Sequence, residues 1–272
     1  TVRSRDNAQS PEIVLQGWSA RGEGGQKIQQ YHLNGSFAEQ IRVPTENAVA
    51  MGDIDPAEAA AWCAINTLLV AYGGLLAMEL KAGENLLVSG ATGNFGSSAV
   101  LAALAMGVSK VIAPGRNPRV LQELRKRFGS RIETVTLSGV ADEDISAMKS
   151  AAEGPIDAVL DLLPPSAPAS AARNAIMSVR PYGRAVLMGG VGMLGGDDLA
   201  LPYPWIMRNL ITIKGQWMYE PQAVYTLVGL IRAGLLDLSH YAVTEFALSD
   251  INRAITHAAE NSGPFKLTVI RP

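Results

Sequence analysis

The octapeptide Ser89-Gly90-Ala91-Thr92-Gly93-Asn94-Phe95-Gly96 joins a short apolar run to a segment rich in alanine and leucine. The run before it, Asn85-Leu86-Leu87-Val88, is typical of a parallel strand that is covered on both faces. The segment after it, residues 97–106, has the length and composition of a helix. The sequence therefore predicts a strand, a glycine-rich turn and a helix in direct succession.

The small residues of this turn are spaced as in a dinucleotide-binding loop, with Ala91, Gly93 and Gly96 in the three small positions. The first position makes a tight turn, the second lets the backbone approach a pyrophosphate, and the third lets helix and strand pack closely. The helix N-terminus would then offer free N–H groups and a partial positive charge to the phosphates. A purely structural glycine turn is the alternative, and the motif alone does not choose between them.

Composition narrows the class of protein. The chain has 272 residues, 48% of them apolar, and a formal net charge of −2, which suits an α/β enzyme and gives no electrostatic case for nucleic acid or an anionic membrane. We expect no membrane-spanning helix, because no apolar run was seen to reach the roughly 18 residues that one needs. The single cysteine, Cys63, allows no internal disulfide and favours a reducing, cytoplasmic location.

Strands and helices are predicted to alternate after the glycine turn. The predicted strands are residues 110–113, 134–137, 156–160, 184–188 and 210–214, and the predicted helices are residues 118–128, 142–152, 169–179 and 221–233. This alternation requires right-handed crossovers and a parallel sheet with helices on both faces. The fold class predicted is therefore α/β with a doubly wound Rossmann sheet, which is the context that a dinucleotide turn needs.

The two ends of the chain have a different pattern. Residues 1–30 are polar and glycine-rich and indicate a loop or a partly ordered lead-in. Residues 35–44 indicate a turn and a strand ended by Pro44, and Asp55-Pro56-Ala57-Glu58 indicates a helix start. The tail is predicted to form a strand, a helix and a strand, which suggests a return to a second domain. The expected domains are residues 1–54, 55–241 and 242–272.

These segments in this order resemble the medium-chain dehydrogenase/reductase superfamily, the alcohol dehydrogenase and quinone oxidoreductase group. The segments that carry the resemblance are Gly35-Ser36-Phe37-Ala38-Glu39 with Val43-Pro44, Lys81-Ala82-Gly83-Glu84 before the glycine turn, Arg184-Ala185-Val186-Leu187-Met188-Gly189-Gly190, and Phe265-Lys266-Leu267-Thr268-Val269. Members of the superfamily carry a GroES-like domain before the cofactor domain. The resemblance implies that residues 1–54 are the remnant of that domain and that its front part lies outside this sequence.

The resemblance also implies a set of cofactor-binding residues that stand in the glycine turn, just after strands, or at the start of the last strand. The set is Ala91, Thr92, Gly93, Asn94, Phe95, Gly96, Gly115, Arg116, Asn117, Leu162, Leu163, Met188, Gly189, Gly190, Trp217, Met218 and Lys266. Tyr72 is the candidate catalytic residue, as a proton donor or relay. Plainer alternatives stay open, because Tyr72 and Trp217 can be core aromatics and Lys266 an exposed strand residue.

The residues after the second strand of the sheet indicate which cofactor is preferred. NAD-binding Rossmann domains place an acidic side chain about twenty residues past the glycine turn, where it accepts the ribose hydroxyls. This sequence has Gly115 and Arg116 there, so a 2′-phosphate meets no carboxylate and a guanidinium can bind it. NADP(H) is therefore predicted in preference to NAD(H), unless Arg116 is only a solvated loop residue.

A metal is not expected, because a catalytic zinc needs three protein ligands and a structural zinc typically four. Cys63 and three scattered histidines, His32, His240 and His257, supply neither pattern, and Cys63 is expected to be a small buried hydrophobe. The leading hypothesis is a zinc-independent, NADP(H)-dependent oxidoreductase that moves hydride to or from a carbonyl, an alcohol or an activated alkene.

Two other functions stay open at this point. One is a non-catalytic dinucleotide-binding protein with an incomplete active site. The other, which the missing acidic residue and the C-terminal return disfavour, is a Rossmann-like methyltransferase. The expected partner is a small-molecule substrate, with no nucleic acid and no membrane, and the resemblance suggests a homodimer.

Overall fold

The structure is a computed structural model that describes residues 2–3 and 13–272. In chain order its strands are β1 (Val2–Arg3), β2 (Ile13–Leu15), β3 (Ser19–Arg21), β4 (Asn85–Ser89), β5 (Lys110–Gly115), β6 (Ile132–Thr136), β7 (Ala158–Asp161), β8 (Arg184–Leu187), β9 (Thr212–Gly215), β10 (Ala242–Ala247) and β11 (Lys266–Arg271). Its helices are α1 (Gly22–Tyr31), α2 (Ala59–Trp62), α3 (Ile65–Ala77), α4 (Asn94–Ala105), α5 (Pro118–Phe128), α6 (Ala141–Ala151), α7 (Ala169–Met177), α8 (Tyr203–Asn209), α9 (Gln222–Arg232) and α10 (Ile251–Glu260).

Two compact units divide the chain. The larger holds residues 61–242 and 262–266, and the smaller holds the described part of residues 1–60 together with residues 243–261 and 267–272. The predicted boundaries at residues 54 and 241, and the assignment of residues 1–54 to a GroES-like domain, stay predictions.

The larger unit is built on a six-stranded parallel sheet in the order β6-β5-β4-β7-β8-β9. The glycine turn follows the central strand β4, whose Leu86, Leu87 and Val88 are fully buried. The chain winds outward from β4 in both directions, which confirms the predicted Rossmann-like α/β fold. In such a sheet the carboxyl ends of all the strands lie along one edge; we call it the carboxyl edge.

Apolar side chains from the two faces of the sheet form the core. On one face, Leu87 and Val159 belong to a buried cluster with Met148 of α6 and Ile176 of α7. On the other face, Gly74 of α3 packs directly against the side chains of Leu160 and Met188. Because strand side chains alternate between two covered faces, the central strands β4 and β7 are largely apolar.

The first part of the chain is more ordered than the sequence indicates. Residues 13–31 form the antiparallel pair β2–β3 and the helix α1, so the prediction of a loop is wrong there; residues 1 and 4–12 lie outside the described residues. The i,i+4 pair of Glu23 and Lys27, 2.8 Å apart, supports α1. The strand predicted within residues 35–44 does not form, and Ile41 and Val43 are exposed.

The helix predicted from Asp55 begins later than expected. Asp55 accepts a hydrogen bond from the Ala57 N–H at 2.9 Å, but the first helix starts at Ala59 and is interrupted at Cys63 before α3. Because Cys63 lies at this interruption, its side chain is exposed, and the expectation of a buried cysteine is wrong.

One stretch of the chain is long and apolar enough to cross a membrane by length and composition. It is Ala59–Ala77, with 19 residues and a mean hydropathy of 1.6, so the expectation that no apolar stretch reaches this length is wrong. Of this stretch, 61% is buried inside the fold. It packs against α4, where Ser98 Oγ donates to Thr67 Oγ1 at 3.2 Å, as a core helix does.

Helix α8 was not predicted from the sequence. Leu210, predicted as the first residue of a strand, caps α8 in the left-handed conformation with φ 53°, and the strand β9 starts two residues later. A left-handed residue does not continue a strand, and this accounts for the displaced boundary.

Candidate functional site

The glycine turn is held together by contacts that leave no space for a side chain at Gly90 or Gly96. The Gly93 N–H donates to the Gly90 carbonyl at 2.9 Å, and Gly90 has a left-handed φ of +89°. A Cβ on Gly90 would stand 2.7 Å from the Leu162 carbonyl oxygen. A Cβ on Gly96 would overlap the Gly90 carbonyl group, so the start of α4 packs directly on the turn. Both glycines are therefore required by the geometry.

Helix α4 begins without a side-chain cap. Gly93 is its N-cap residue in an extended conformation, with no side-chain hydrogen bond to the helix. The N–H groups of the first helical turn, at Asn94, Phe95 and Gly96, have no partner within the helix. In the described chain the buried Oδ1 of Asn94 also has no hydrogen-bond partner. These unsatisfied groups, together with the helix dipole, make a site for an anion and a hydrogen-bond donor.

The next strand end lies beside the turn. Gly115 ends β5, and a Cβ on it would stand 2.8 Å from Thr92 Cγ2. Arg116 follows and is exposed, and it forms no ion pair with any described residue. Asn117 is the N-cap of α5, where its Oδ1 accepts from the N–H groups of Arg119 at 3.0 Å and Val120 at 3.4 Å. The side-chain oxygen Oδ1 of Asn117 is thus already bound to the helix.

The ends of β7 and β8 lie on the other side of the turn. The Leu162 N–H donates to the Ser89 carbonyl at 2.9 Å, and the Gly190 N–H donates to the Leu163 carbonyl at 2.8 Å. The Met188 N–H donates to the Asp161 carbonyl at 3.0 Å. The fold therefore brings together the glycine turn, Leu162 and Leu163, and the Met188-Gly189-Gly190 segment.

The end of β9 reaches the helix that carries Tyr72. A Cβ on Gly73 would stand 2.6 Å from the carbonyl oxygen of Met218, which has a left-handed φ of 63°. Trp217 is 41% exposed, whereas Tyr72 is buried with 5% of its surface exposed. This burial fits the simpler interpretation of Tyr72 as a packed core ring, and its role in proton transfer stays a prediction.

Lys266 is the first residue of β11 and is exposed. The residue before it, Phe265, donates its N–H to Ser97 Oγ in the first turn of α4 at 3.2 Å. Nearby, the hydroxyls of Tyr241 and Ser98 are 2.7 Å apart. The first of these contacts brings Phe265, the neighbour of Lys266 in the chain, close to the start of α4, beside the predicted phosphate site.

Asp161, the last residue of β7, is not among the site residues predicted from the sequence. Only 3% of its surface is exposed, and the available signal was an acidic residue in an otherwise apolar strand. Burial raises the pKa of the Asp161 carboxyl to about 6, although hydrogen bonds from the Leu163 N–H and the Ser89 hydroxyl lower it.

Among the described residues, no group of three or more His, Cys, Asp and Glu side chains is placed to hold a metal ion. His240 and His257 have other contacts, since Arg127 lies beside His240 and the Thr268 hydroxyl lies 3.0 Å from His257 Nδ1. The described residues therefore do not fit a zinc site.

Comparison with known proteins identifies the family. Residues 95–233 match the family described as zinc-binding dehydrogenase. The chain is 31% identical to an L-threonine 3-dehydrogenase from Chelativorans sp. (strain BNC1), over 85% of this chain and 63% of that protein. The chain belongs to this family, and with it to the medium-chain dehydrogenase/reductase superfamily, as the sequence resemblance predicts.

Solved structures share the fold. An alcohol dehydrogenase from Thermus sp. ATN1 superimposes with a TM-score of 0.71 at 22% identity, covering 88% of this chain and 66% of that one. A thermostable alcohol dehydrogenase from Pyrobaculum aerophilum, solved with cobalt and zinc bound, superimposes with a TM-score of 0.64 at 24% identity, covering 88% and 64%. This chain thus spans about two thirds or slightly less of the length of these relatives.

Proposed function

We propose that this chain contains the cofactor-binding part of an NADP(H)-dependent dehydrogenase that moves hydride between the nicotinamide and a carbonyl or alcohol. The observation that carries the proposal is the uncapped start of α4, where Gly93 leaves the first N–H groups without a side-chain acceptor. Membership of a dehydrogenase family and the dehydrogenase relatives support hydride transfer as the reaction.

In this proposal the chain's own residues bind and orient the cofactor. The turn from Ala91 to Gly96 binds the pyrophosphate through backbone N–H groups, and the Asn94 Oδ1 accepts a hydrogen bond from the cofactor or from water. The segments after β7, β8 and β9 line the nicotinamide. The bound cofactor supplies the hydride, and the protein contributes position and polarity.

The preference for NADP(H) is supported by the end of β5. The side chain that would meet the 2′-hydroxyl of an NAD ribose is absent at Gly115, and Thr92 occupies the space beside it. Arg116 is exposed and makes no ion pair within the described chain, so its guanidinium is available for a 2′-phosphate.

Several expectations from the sequence stay predictions for the protein. They are zinc independence, a cytoplasmic location, a homodimer, a small-molecule substrate, and activity on quinones or activated alkenes.

Replacing the guanidinium tests the cofactor assignment. We expect Arg116→Ala to weaken NADPH binding by roughly ten- to a hundredfold, because a hydrogen bond to a charged group is worth about 1.5–3 kcal/mol. Binding of NADH should change little, since it has no 2′-phosphate. The dissociation constants of both cofactors are measured by fluorescence titration.

Arg208→Ala is the matched control, because Arg208 is also an exposed arginine. It lies on α8, which precedes β9, and β9 is the edge strand on the far side of the sheet from β5. It removes the same charge and should leave both cofactors unaffected. Equal losses for NADPH and NADH in Arg116→Ala, or a parent protein that prefers NADH, would contradict the NADP(H) assignment.

A further inference from the structure

A cavity of about 220 Å³ lies beside the ends of β7 and β8 in the larger unit. Among the described residues, its ionisable lining residues are Asp161, Asp197 and Asp198, and none of its lining residues is Lys, Arg or His. Aliphatic side chains, among them Leu187 and Leu199, form other parts of the wall. The lining is therefore negatively charged with apolar sides.

Asp161 is the buried member of this set. It is 97% buried, because only 3% of its surface is exposed, and its Oδ1 has no hydrogen-bond partner among the described residues. Gly189 makes room for the carboxyl group, since a Cβ at that position would stand 2.5 Å from Asp161 Oδ2. A buried carboxylate with an unused acceptor is costly unless a donor or a positive charge compensates it.

The chemistry of the lining selects the kind of ligand. Carboxylates only accept hydrogen bonds, so the ligand must donate. The described residues offer no group of three or more potential ligands placed for a metal ion. Positive charge suits the three aspartates, and a short hydrocarbon chain suits the aliphatic wall.

We propose that this cavity binds a small alkylammonium ion, whose N–H groups donate to Asp161 and whose carbon chain packs against Leu187 and Leu199. Asp197 and Asp198, which are exposed, attract the cation to the cavity. The cavity is distinct from the phosphate site at α4, although Gly189, which lines it, also belongs to the segment proposed to line the nicotinamide.

The proposal makes binding depend on pH. A primary amine stays protonated through the neutral range, as lysine does. The Asp161 carboxyl, with its pKa raised to about 6, is charged above that pH and neutral below it. Affinity for the cation should therefore rise as the pH rises from 5 to 7.5; Asp197 and Asp198 are the other titratable groups that line the cavity.

The probe for the test is n-propylammonium chloride, titrated into the protein without cofactor while amide shifts of Gly189 and Gly192 are followed by NMR. The neutral comparison is n-propanol at the same ionic strength. We expect the ammonium to bind at least about tenfold more tightly than the alcohol at pH 7.5, the value for one charge-assisted hydrogen bond. Equal affinity for the two compounds would overturn the proposal.

Substitution of the buried Asp161 carboxylate is the second test of the proposal. Asp161→Asn should lower ammonium affinity by roughly tenfold or more, whereas Asp142→Asn, which removes the same charge from the exposed start of α6, should not. No loss in Asp161→Asn would count against the site. If that variant does not fold, the unmodified protein at pH 5 and 7.5 decides, because an affinity that is the same at both values would exclude Asp161 as the partner.

Discussion

Helices α4 and α5 have equivalent places after neighbouring strands, but their N-termini differ in whether a side chain caps them. Each follows a strand of the parallel sheet after a short turn, and the two strands, β4 and β5, are neighbours in the sheet. The N-terminus of α5 is capped by Asn117, whose side chain accepts two backbone N–H groups. The N-terminus of α4 has Gly93 in the same position and no side-chain cap. Two helix dipoles thus point to one edge, and only that of α4 is left without a side-chain cap for an external anion.

Giving α4 its own cap should remove this difference. We expect Gly93→Asp to weaken binding of NADPH and NADH by roughly a hundredfold or more, because an N-cap carboxylate occupies the N–H groups and repels the pyrophosphate. The fold should remain, since Gly93 has φ −93° and its Cβ would come no closer than 3.4 Å to the Gly90 oxygen. Isothermal titration of both cofactors and thermal unfolding measure the two effects.

Gly93→Ala is the matched control for that variant, because it adds a Cβ without adding charge. It should lower the affinity for both cofactors less than Gly93→Asp does, because a methyl group obstructs the approach of the pyrophosphate but neither caps the N–H groups nor repels the phosphates. If the Gly93→Asp protein is folded and binds NADPH as tightly as the parent, the cofactor binds elsewhere and the missing cap of α4 does not mark the phosphate site.

Displacing the start of α4 from the glycine turn should have a smaller effect, and that effect should be mainly on the stability of the fold. A methyl group at Gly96 would overlap the Gly90 carbonyl, so we expect Gly96→Ala to lower the free energy of unfolding by about 1–3 kcal/mol. Urea unfolding gives this value. Gly229→Ala is the matched control, because Gly229 also lies within a helix, α9, and a methyl group there would meet nothing within 4 Å. A loss for Gly96→Ala no larger than for Gly229→Ala would contradict the packing argument.

Removing the cap of α5 should have the smallest effect. Asn117→Ala should lower the free energy of unfolding by about 1 kcal/mol, the usual cost of losing an N-cap. Because its Oδ1 is bound to the helix, NADPH affinity should change by less than about threefold. A tenfold loss of affinity without loss of stability would instead mean that the Asn117 amide contacts the ribose.

The parts of the fold that could be read from the sequence are those set by local patterns. The apolar run at Leu86–Val88, the glycine spacing and the regular alternation after them predicted the parallel sheet correctly. Segments whose structure depends on partners distant in the chain were harder to predict. The pairing of β2 with β3 and the break of the helix at Cys63 carried no strong local signal, and both were predicted wrongly.

For the site, the sequence determined which residues stand in the turn and after each strand, because glycines and strand ends are local features. Tertiary structure alone decided how the strand ends meet and which N–H groups are free of caps. It also decided that Asp161 is buried beside Gly189 with an unpaired oxygen. The reason is physical: local pattern selects strands and turns, whereas burial and unmet hydrogen bonds depend on groups that packing brings from elsewhere in the chain.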